Sequence, residues 1–224
     1  MKRDESALYR ESYFLHGRSF FMRHRGLRLS PRLARAAVYA GVDSRDAVLE
    51  LGFGRGELAF YCADKGAQYT GIDFSSAAHT IARSVVRQLP PDRRRLVTFR
   101  RLDLRHMGSK LPPASLVLMV DVLEHLSPKA GRSLLVAAAQ SLLPCGRMVI
   151  HTHFGRRVAT RRTPALTTAE KRYLAHVGHH CIYTVASLRS VLPGDVVLTR
   201  PHPRVALVIK PSPSRSPMEQ HDEG

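Results

Sequence analysis

One stretch constrains the fold of this chain more than any other: residues 48–59 read VLELGFGRGELA. Apolar residues and one acid, Glu50, lead into three glycines at alternate positions, and a helical pattern follows. Glycine is needed where φ is positive or where a ligand lies against the backbone. The first amides of a helix attract anionic and polar groups. The stretch therefore predicts a strand, a tight turn and a helix N-terminus around a ligand, although a turn that binds nothing has the same pattern.

Two nucleotide-type cofactors bind at turns of this kind. The dinucleotide fingerprint is G-x-G-x-x-G, and Gly52 and Gly54 fit its first two glycines. Its third glycine would fall at position 57, where this chain has Glu57, and a carboxylate there would repel a pyrophosphate. The turn is instead G-x-G-x-G, completed by Gly56, so a dinucleotide is disfavoured.

Strand and helix patterns alternate through the rest of the chain. Strands are predicted at 47–51, 68–72, 96–102, 115–120, 147–152, 196–199 and 205–209. Helices are predicted at 31–40, after the glycine turn as far as Gly66, from Ser75 or Ser76 to Pro90-Pro91, at 128–143 and at 184–192. Apolar runs separated by helices indicate a buried parallel sheet, and the last two strands indicate an antiparallel hairpin. The prediction is a three-layer α/β fold with a seven-stranded mixed sheet.

Four successive predicted strands end on an acid: Glu50, Asp73, Asp103 and Asp121. Ligands of open α/β sheets bind beyond the carboxyl ends of the strands. The chain carries a formal net charge of +17, so four carboxylates on one rim of the sheet favour a binding site over a solvated surface.

The order and spacing of these motifs resemble the class I methyltransferases that depend on S-adenosylmethionine (SAM). The resemblance is to small bacterial enzymes of the quinone-biosynthesis type, a group that includes sugar and natural-product O-methyltransferases. It covers roughly residues 45–152. The motifs that carry it are Glu50 to Gly56, Gly71 to Asp73, Leu102-Asp103, Asp121 to Leu126, Leu142 to Gly146 and, more weakly, His180 to Thr184.

The resemblance implies a cofactor role for each acid. Asp73 would accept the ribose hydroxyls, Asp103 the adenine amino group, and Glu50 and Asp121 would face the methionine ammonium. The other cofactor-binding residues implied are Gly52, Phe53, Gly54, Gly56, Phe74, Leu104 and Val122. Two roles have alternatives, because Asp73 can cap the following helix and Asp103 can be a plain turn residue.

A hydroxyl acceptor needs a base, and histidine suits that role. His125, His151 and His153 follow the fourth and fifth predicted strands on the same rim. Each is a candidate base, and each can equally be a turn or packing histidine. No metal is predicted, because the group His176, His179, His180 and Cys181 lacks a second cysteine pair.

Composition limits the cellular location and the binding partners that can be expected of this chain. No apolar run reaches the roughly 18 residues of a membrane span, and the N-terminus lacks the pattern of a secretory signal. Cys62, Cys145 and Cys181 form no C-x-x-C pair, which is typical of reduced thiols in a cytoplasmic protein. The dispersed arginines predict non-specific binding to nucleic acid, or they reflect only a preference for Arg codons.

Three regions are expected along the chain: an N-terminal helical cap at 1–46, a methyltransferase domain at 47–210 and a disordered tail at 211–224. Five aromatic residues of this cap either close over a substrate pocket or pack the cap against the core: Tyr9, Tyr13, Phe14, Phe20 and Phe21. The expected activity is methyl transfer from SAM to a small-molecule acceptor, on oxygen. The alternatives are methylation of RNA or protein, and a SAM-binding protein that has lost catalysis. The oligomeric state does not follow from the sequence.

Overall fold

A computed structural model describes residues 20–22, 26–105, 111–175 and 179–212. The strands are β1 (Phe20–Met22), β2 (Gly26–Arg28), β3 (Ala47–Leu51), β4 (Gln68–Asp73), β5 (Val97–Arg101), β6 (Ala114–Val120), β7 (Leu142–His151), β8 (Ala159–Thr160), β9 (Cys181–Ile182), β10 (Val197–His202) and β11 (Val205–Ile209). The helices are α1 (Pro31–Ala40), α2 (Glu57–Asp64), α3 (Ser76–Val86), α4 (Pro91–Arg94), α5 (Pro128–Ser141), α6 (Thr168–Ala175) and α7 (Val185–Arg189), with a 3₁₀ turn at Leu123–His125.

A seven-stranded sheet in the order β10-β11-β7-β6-β3-β4-β5 forms the centre. The five strands from β3 to β7 pair in parallel, whereas β11 runs antiparallel to both β7 and β10. The predicted seven-stranded mixed sheet is therefore confirmed. Because the strands are parallel, the carboxyl ends of β3, β4 and β6 bring Glu50, Asp73 and Asp121 to one edge of the sheet.

Alternate residues of the central strands face two separate cores. Leu49 and Val117 lie in a core that includes Leu134 of α5, and Val48 and Leu116 lie in a second core that includes Leu58 of α2. Strand side chains alternate between the faces of a sheet, so a strand that is apolar at every position must be covered on both sides. This explains the apolar run at 116–120 in β6 and the three-layer architecture.

Helix α1 is anchored to the sheet by one arginine. It begins with Pro31 and ends at Gly41, which has φ of 53°, so the predicted bounds are confirmed. The Arg147 Nη2 atom lies 2.7 Å from Asp46 Oδ2 in an ion pair, and Arg147 Nε donates to the Ala40 carbonyl oxygen at 2.6 Å. The contact holds the C-terminus of α1 against β7.

Several predicted boundaries were wrong. Helix α5 was predicted to run to residue 143 but ends at Ser141. The predicted turn at 143–146 is an irregularity within β7. It lies between two pairs of residues that join β6 to β7, Ala114–Leu142 and Leu116–Arg147. Helix α3 ends at Val86, and Pro91 begins α4, where its fixed φ suits a first helical position.

Short elements without a periodic pattern were not predicted at all. They are α4, α6 and the pairs β1–β2 and β8–β9. Tyr9, Tyr13, Phe14, His176 and residues 213–224 of the predicted tail lie outside the described residues. None of the helices within the described ranges has the length and apolarity needed to cross a membrane.

Candidate active site

The glycine turn between β3 and α2 is closely packed. Gly52 and Gly56 have φ of 80° and 76°, a backbone conformation that glycine adopts without steric cost. A Cβ on Gly52 would lie 2.6 Å from a methyl carbon of Val122, and a Cβ on Gly56 would lie 2.7 Å from the Cβ of Ala82. Packing against the end of β6 and against α3 therefore requires both glycines, with or without a ligand.

Asp73 joins the end of β4 to this turn. Its Oδ2 atom accepts the Gly54 N–H at 3.1 Å, and its Oδ1 atom accepts the Ser75 N–H at 2.9 Å. Burial raises the pKa of Asp73, and the two N–H donors oppose that shift. The cap of α3 is Ser75, whose Oγ accepts the Ala78 N–H at 3.2 Å. A carboxylate has about four lone pairs, so Asp73 retains acceptor capacity for ribose hydroxyls.

Asp103, the candidate for binding the adenine amino group, and Phe74, another cofactor-binding candidate, share one partner. The Arg105 Nη2 atom lies 2.7 Å from Asp103 Oδ2, and the Arg105 guanidinium carbon lies 5.5 Å from the centroid of the Phe74 ring. A planar ligand on this face of the Phe74 ring would therefore have to displace Arg105.

The remaining apolar candidates contribute mainly to packing. The Phe53 ring lies 4.6 Å from the Phe99 ring and 4.9 Å from the His79 ring, measured between centroids, so its side chain belongs to the core. Leu104 and Val122 are both buried, at 9% exposure. Of these two residues, Val122 packs against the glycine turn, because it fills the space that a side chain on Gly52 would need.

Asp121 lies between a histidine and an arginine. It has φ of 53°, which is unusual outside glycine. Its Oδ1 atom lies 2.6 Å from His151 Nδ1, and its Oδ2 atom lies 2.5 Å from Arg32 Nη1. Burial alone would raise the pKa of Asp121, but the His151 hydrogen bond and the Arg32 charge lower it to about 2. Asp121 is therefore an ionised group that orients His151.

Glu50 is buried and accepts a hydrogen bond from the Tyr69 hydroxyl. Complete burial raises the pKa of Glu50 to about 8, although the Tyr69 hydrogen bond lowers it in part. Without a ligand, Glu50 is therefore mainly a neutral carboxyl at neutral pH. A cation beside it would favour the ionised form.

Replacing Glu50 by glutamine is expected to make the stability of the chain less sensitive to alkaline pH. A carboxyl whose pKa is raised by folding contributes full stability below its unfolded value of about 4.3, and this contribution falls as pH rises towards about 8. Glutamine keeps an acceptor for Tyr69 but has no proton to lose. We expect urea denaturation to show the variant gaining roughly 4 kcal/mol relative to the wild type between pH 5 and pH 9. Parallel pH dependence in the two proteins would contradict this assignment.

Of the three candidate bases, one pairs with a carboxylate and the other two pack against aromatic rings. His151 pairs with Asp121, whereas the His125 ring lies 5.0 Å from the His179 ring and the His153 ring lies 4.7 Å from the Tyr173 ring. Sequence reasoning did not find Arg32, Tyr69, Arg105, Glu124 or Tyr173. Arg32 and Arg35 were visible as two arginines three residues apart on a predicted helix, but nothing in the sequence showed which surface that helix would cover.

The donor and acceptor groups on this rim fit SAM. The tight turn has no side chains at its glycines, and acids follow the strands on both sides of it. These acceptors suit the ammonium, hydroxyl and amino groups of that cofactor, and they do not suit a pyrophosphate.

The sequence and the fold agree with the known methyltransferases. Residues 14–193 match the family model described as a methyltransferase domain. An O-methyltransferase family protein from Burkholderia thailandensis superposes with a TM-score of 0.60 at 18% identity, covering 82% of this chain and 57% of that one. This chain therefore spans a little over half the length of that protein. No curated protein sequence is significantly similar to the chain.

Two N-methyltransferases share the fold as well. The glycopeptide N-methyltransferase MtfA complexed with SAM has a TM-score of 0.57 at 15% identity, covering 80% of this chain and 86% of that one. NodS from Bradyrhizobium japonicum WM9, an N-methyltransferase bound to S-adenosylhomocysteine (SAH), has a TM-score of 0.54 at 15% identity, with 80% and 82% covered. The fold is thus the Rossmann-like fold of these methyltransferases. The chain belongs to the methyltransferase domain family.

Proposed function

We propose that this methyltransferase modifies a hydroxyl oxygen of a small molecule, and that His151 accepts the hydroxyl proton. The observation that carries the proposal is the pair formed by Asp121 and His151, with 2.6 Å between Oδ1 and Nδ1. A carboxylate on Nδ1 favours the tautomer protonated there, so Nε2 carries the lone pair that takes a proton. A hydroxyl is a weak nucleophile until a base activates it, so a histidine held in this way serves O-methylation.

Helix α1 places two arginines around this pair. Arg32 binds the second oxygen of Asp121, and the Arg35 Nη1 atom lies 3.5 Å from His151 Nε2. His151 is only 2% exposed, so an acceptor reaches Nε2 by moving the half-buried Arg35 side chain. A guanidinium in that position would also stabilise an acceptor oxygen as its proton leaves.

The cofactor supplies an electrophilic methyl group, and the residues of the rim bind and orient it. We assign the ribose hydroxyls to Asp73 and the adenine ring to Phe74 and Asp103. The charge of Asp121 is already balanced by the Arg32 guanidinium, which would repel an ammonium. We therefore assign the ammonium to Glu50, whose pKa would fall next to a cation. Helix α1, which carries Arg32 and Arg35, is assigned as the part of the chain that covers the acceptor.

A small-molecule acceptor is favoured over RNA by the sequence. No Asn-Pro-Pro-Tyr motif of the amino-methylating DNA and RNA enzymes follows β6, where Asp121 to Glu124 stand. The positive charge is spread over short arginine runs at 93–95, 100–101, 156–157 and 161–162. Such dispersed charge lacks the interleaved aromatic residues of a stacking platform for single strands.

We expect the methyl label of radioactive SAM to appear in hydroxylated acceptors and not in their amino counterparts. Matched pairs such as catechol and 1,2-diaminobenzene test the acceptor atom, and total RNA and protein are tested in parallel. RNA should bind only at low salt, without label, because phosphate contacts release counterions and weaken as salt rises. Label confined to the amines would overturn O-methylation, and label in RNA or protein at physiological salt would overturn the small-molecule assignment.

A further inference from the structure

Three side chains from two distant parts of the chain meet beside the rim. Glu124 and His125 lie in the 3₁₀ turn after β6, and His179 comes from the segment before β9. One carboxylate oxygen and two ring nitrogens, one from each residue, all lie within 4.8 Å of one another. Glu124 is 3% and His179 9% exposed, and His125 is half-buried.

Groups behind this cluster hold two of its members in place. The His179 Nδ1 atom lies 3.0 Å from the Tyr173 carbonyl oxygen, so an Nδ1–H donates to it and the lone pair is on Nε2. The Thr152 hydroxyl donates to Glu124 Oε2 at 2.8 Å. Histidine and carboxylate ligands of metal ions are oriented by such partners, which fix the tautomer and the direction of the lone pairs.

The hydrogen-bond partners of the Glu124 carboxyl group are neutral. The hydroxyls of Thr152 and Tyr173 hydrogen-bond its two oxygens, but a hydroxyl brings no charge. A buried carboxylate is stable in its charged form only when it is paired or coordinates a metal.

We propose that Glu124, His125 and His179 bind one divalent transition-metal ion, of the Zn²⁺ type. Two imidazoles and one carboxylate are a ligand set of zinc sites, whereas Mg²⁺ and Ca²⁺ prefer oxygen ligands throughout. Three protein ligands leave a fourth position for water or for an oxygen of a small molecule. Ligands on a tetrahedral ion with bonds of about 2.1 Å are about 3.4 Å apart, so a small movement of the half-buried His125 completes the site. The proposal does not rest on the acceptor or on His151.

Metal titration of the full-length, untagged chain tests the site. After removal of bound metal with a chelator, Co²⁺ is added as a spectroscopic probe and Zn²⁺ is then used to displace it. We expect one equivalent of Co²⁺ with the visible absorption of a four-coordinate ion, displaced by one equivalent of Zn²⁺. Affinity should fall by about a hundredfold or more in Glu124→Gln and His179→Ala, since loss of even an outer partner of a ligand costs about 10–100-fold.

His180→Ala is the matched control, because this variant removes the neighbouring histidine, which is not among the three grouped residues. It should bind Co²⁺ as the wild type does. If a buried-site variant does not fold by circular dichroism, His125→Ala takes its place, because that residue is half-buried. A wild type that binds no stoichiometric Co²⁺ or Zn²⁺ would overturn the proposal, as would binding that survives in the folded His125 and His179 variants or is lost in His180→Ala.

Discussion

Replacement of His151 by glutamine is expected to lower turnover about 10²–10⁴-fold, the usual contribution of a general base. Glutamine has a similar length and can still hydrogen-bond Asp121, but it cannot accept a proton near neutral pH. The affinity for SAH should be little changed, because the proton is removed from the acceptor. Steady-state kinetics with an acceptor found by label transfer, together with calorimetry using SAH, measure the two effects.

Asp121→Asn is expected to act on the same step. An asparagine can present an N–H to His151 Nδ1 and so favour the opposite tautomer, with the proton on the nitrogen that should accept one. Because the two residues form one unit, the double variant should be about as slow as the worse single variant, since the effects of such residues are not additive. The acidic limb of the pH–rate profile should disappear in His151→Gln, a change that simple loosening of the fold would not cause.

His125→Ala and His153→Ala discriminate among the candidate bases. If one of them abolishes the acidic limb and His151→Gln leaves it intact, the base is that histidine and the role of the Asp121–His151 pair is structural. Full additivity between Asp121→Asn and His151→Gln would also contradict a shared step.

Asp73→Ala is expected to weaken SAH binding roughly tenfold to a hundredfold, because a hydrogen bond to a charged group is worth about 1.5–3 kcal/mol. The carboxylate is buried and already accepts two backbone N–H groups, from Gly54 and Ser75. Its removal loses the proposed contacts to the ribose and also leaves the Gly54 N–H of the turn without this acceptor. Asp73→Asn retains one acceptor oxygen and should lose less affinity.

Ser75→Ala separates ligand binding from helix capping. This variant removes the side chain that caps α3 but leaves the Asp73 carboxylate, so it should cost about 1 kcal/mol of stability with little change in SAH affinity. Calorimetry and thermal unfolding of the three variants measure both quantities. Equal losses of affinity in Ser75→Ala and Asp73→Ala would mean that Asp73 acts through the position of α3 and has no direct contact with the cofactor.

The fold and the location of the rim followed from the sequence because local patterns specify them. Apolar runs separated by amphipathic stretches determine a parallel sheet covered on both faces, and β6 shows this most clearly with six of its seven residues buried. The glycines at 52, 54 and 56 identify the tight turn, and the acids at the ends of β3, β4 and β6 are brought to one edge by the topology alone. Where no such pattern exists, as in the β7 irregularity and in α6, prediction from sequence failed.

The partners of the polar side chains were decided only by the tertiary structure. Asp121 binds Arg32 from 89 residues away and His151 from the adjacent strand, and neither partner was predicted from the sequence. Glu124 and His125 lie beside His179, which the sequence had grouped with other histidines and a cysteine. A hydrogen bond or a shared ligand depends on which surfaces helices and loops cover once the sheet has formed, and the spacing of residues along the chain does not encode that distance.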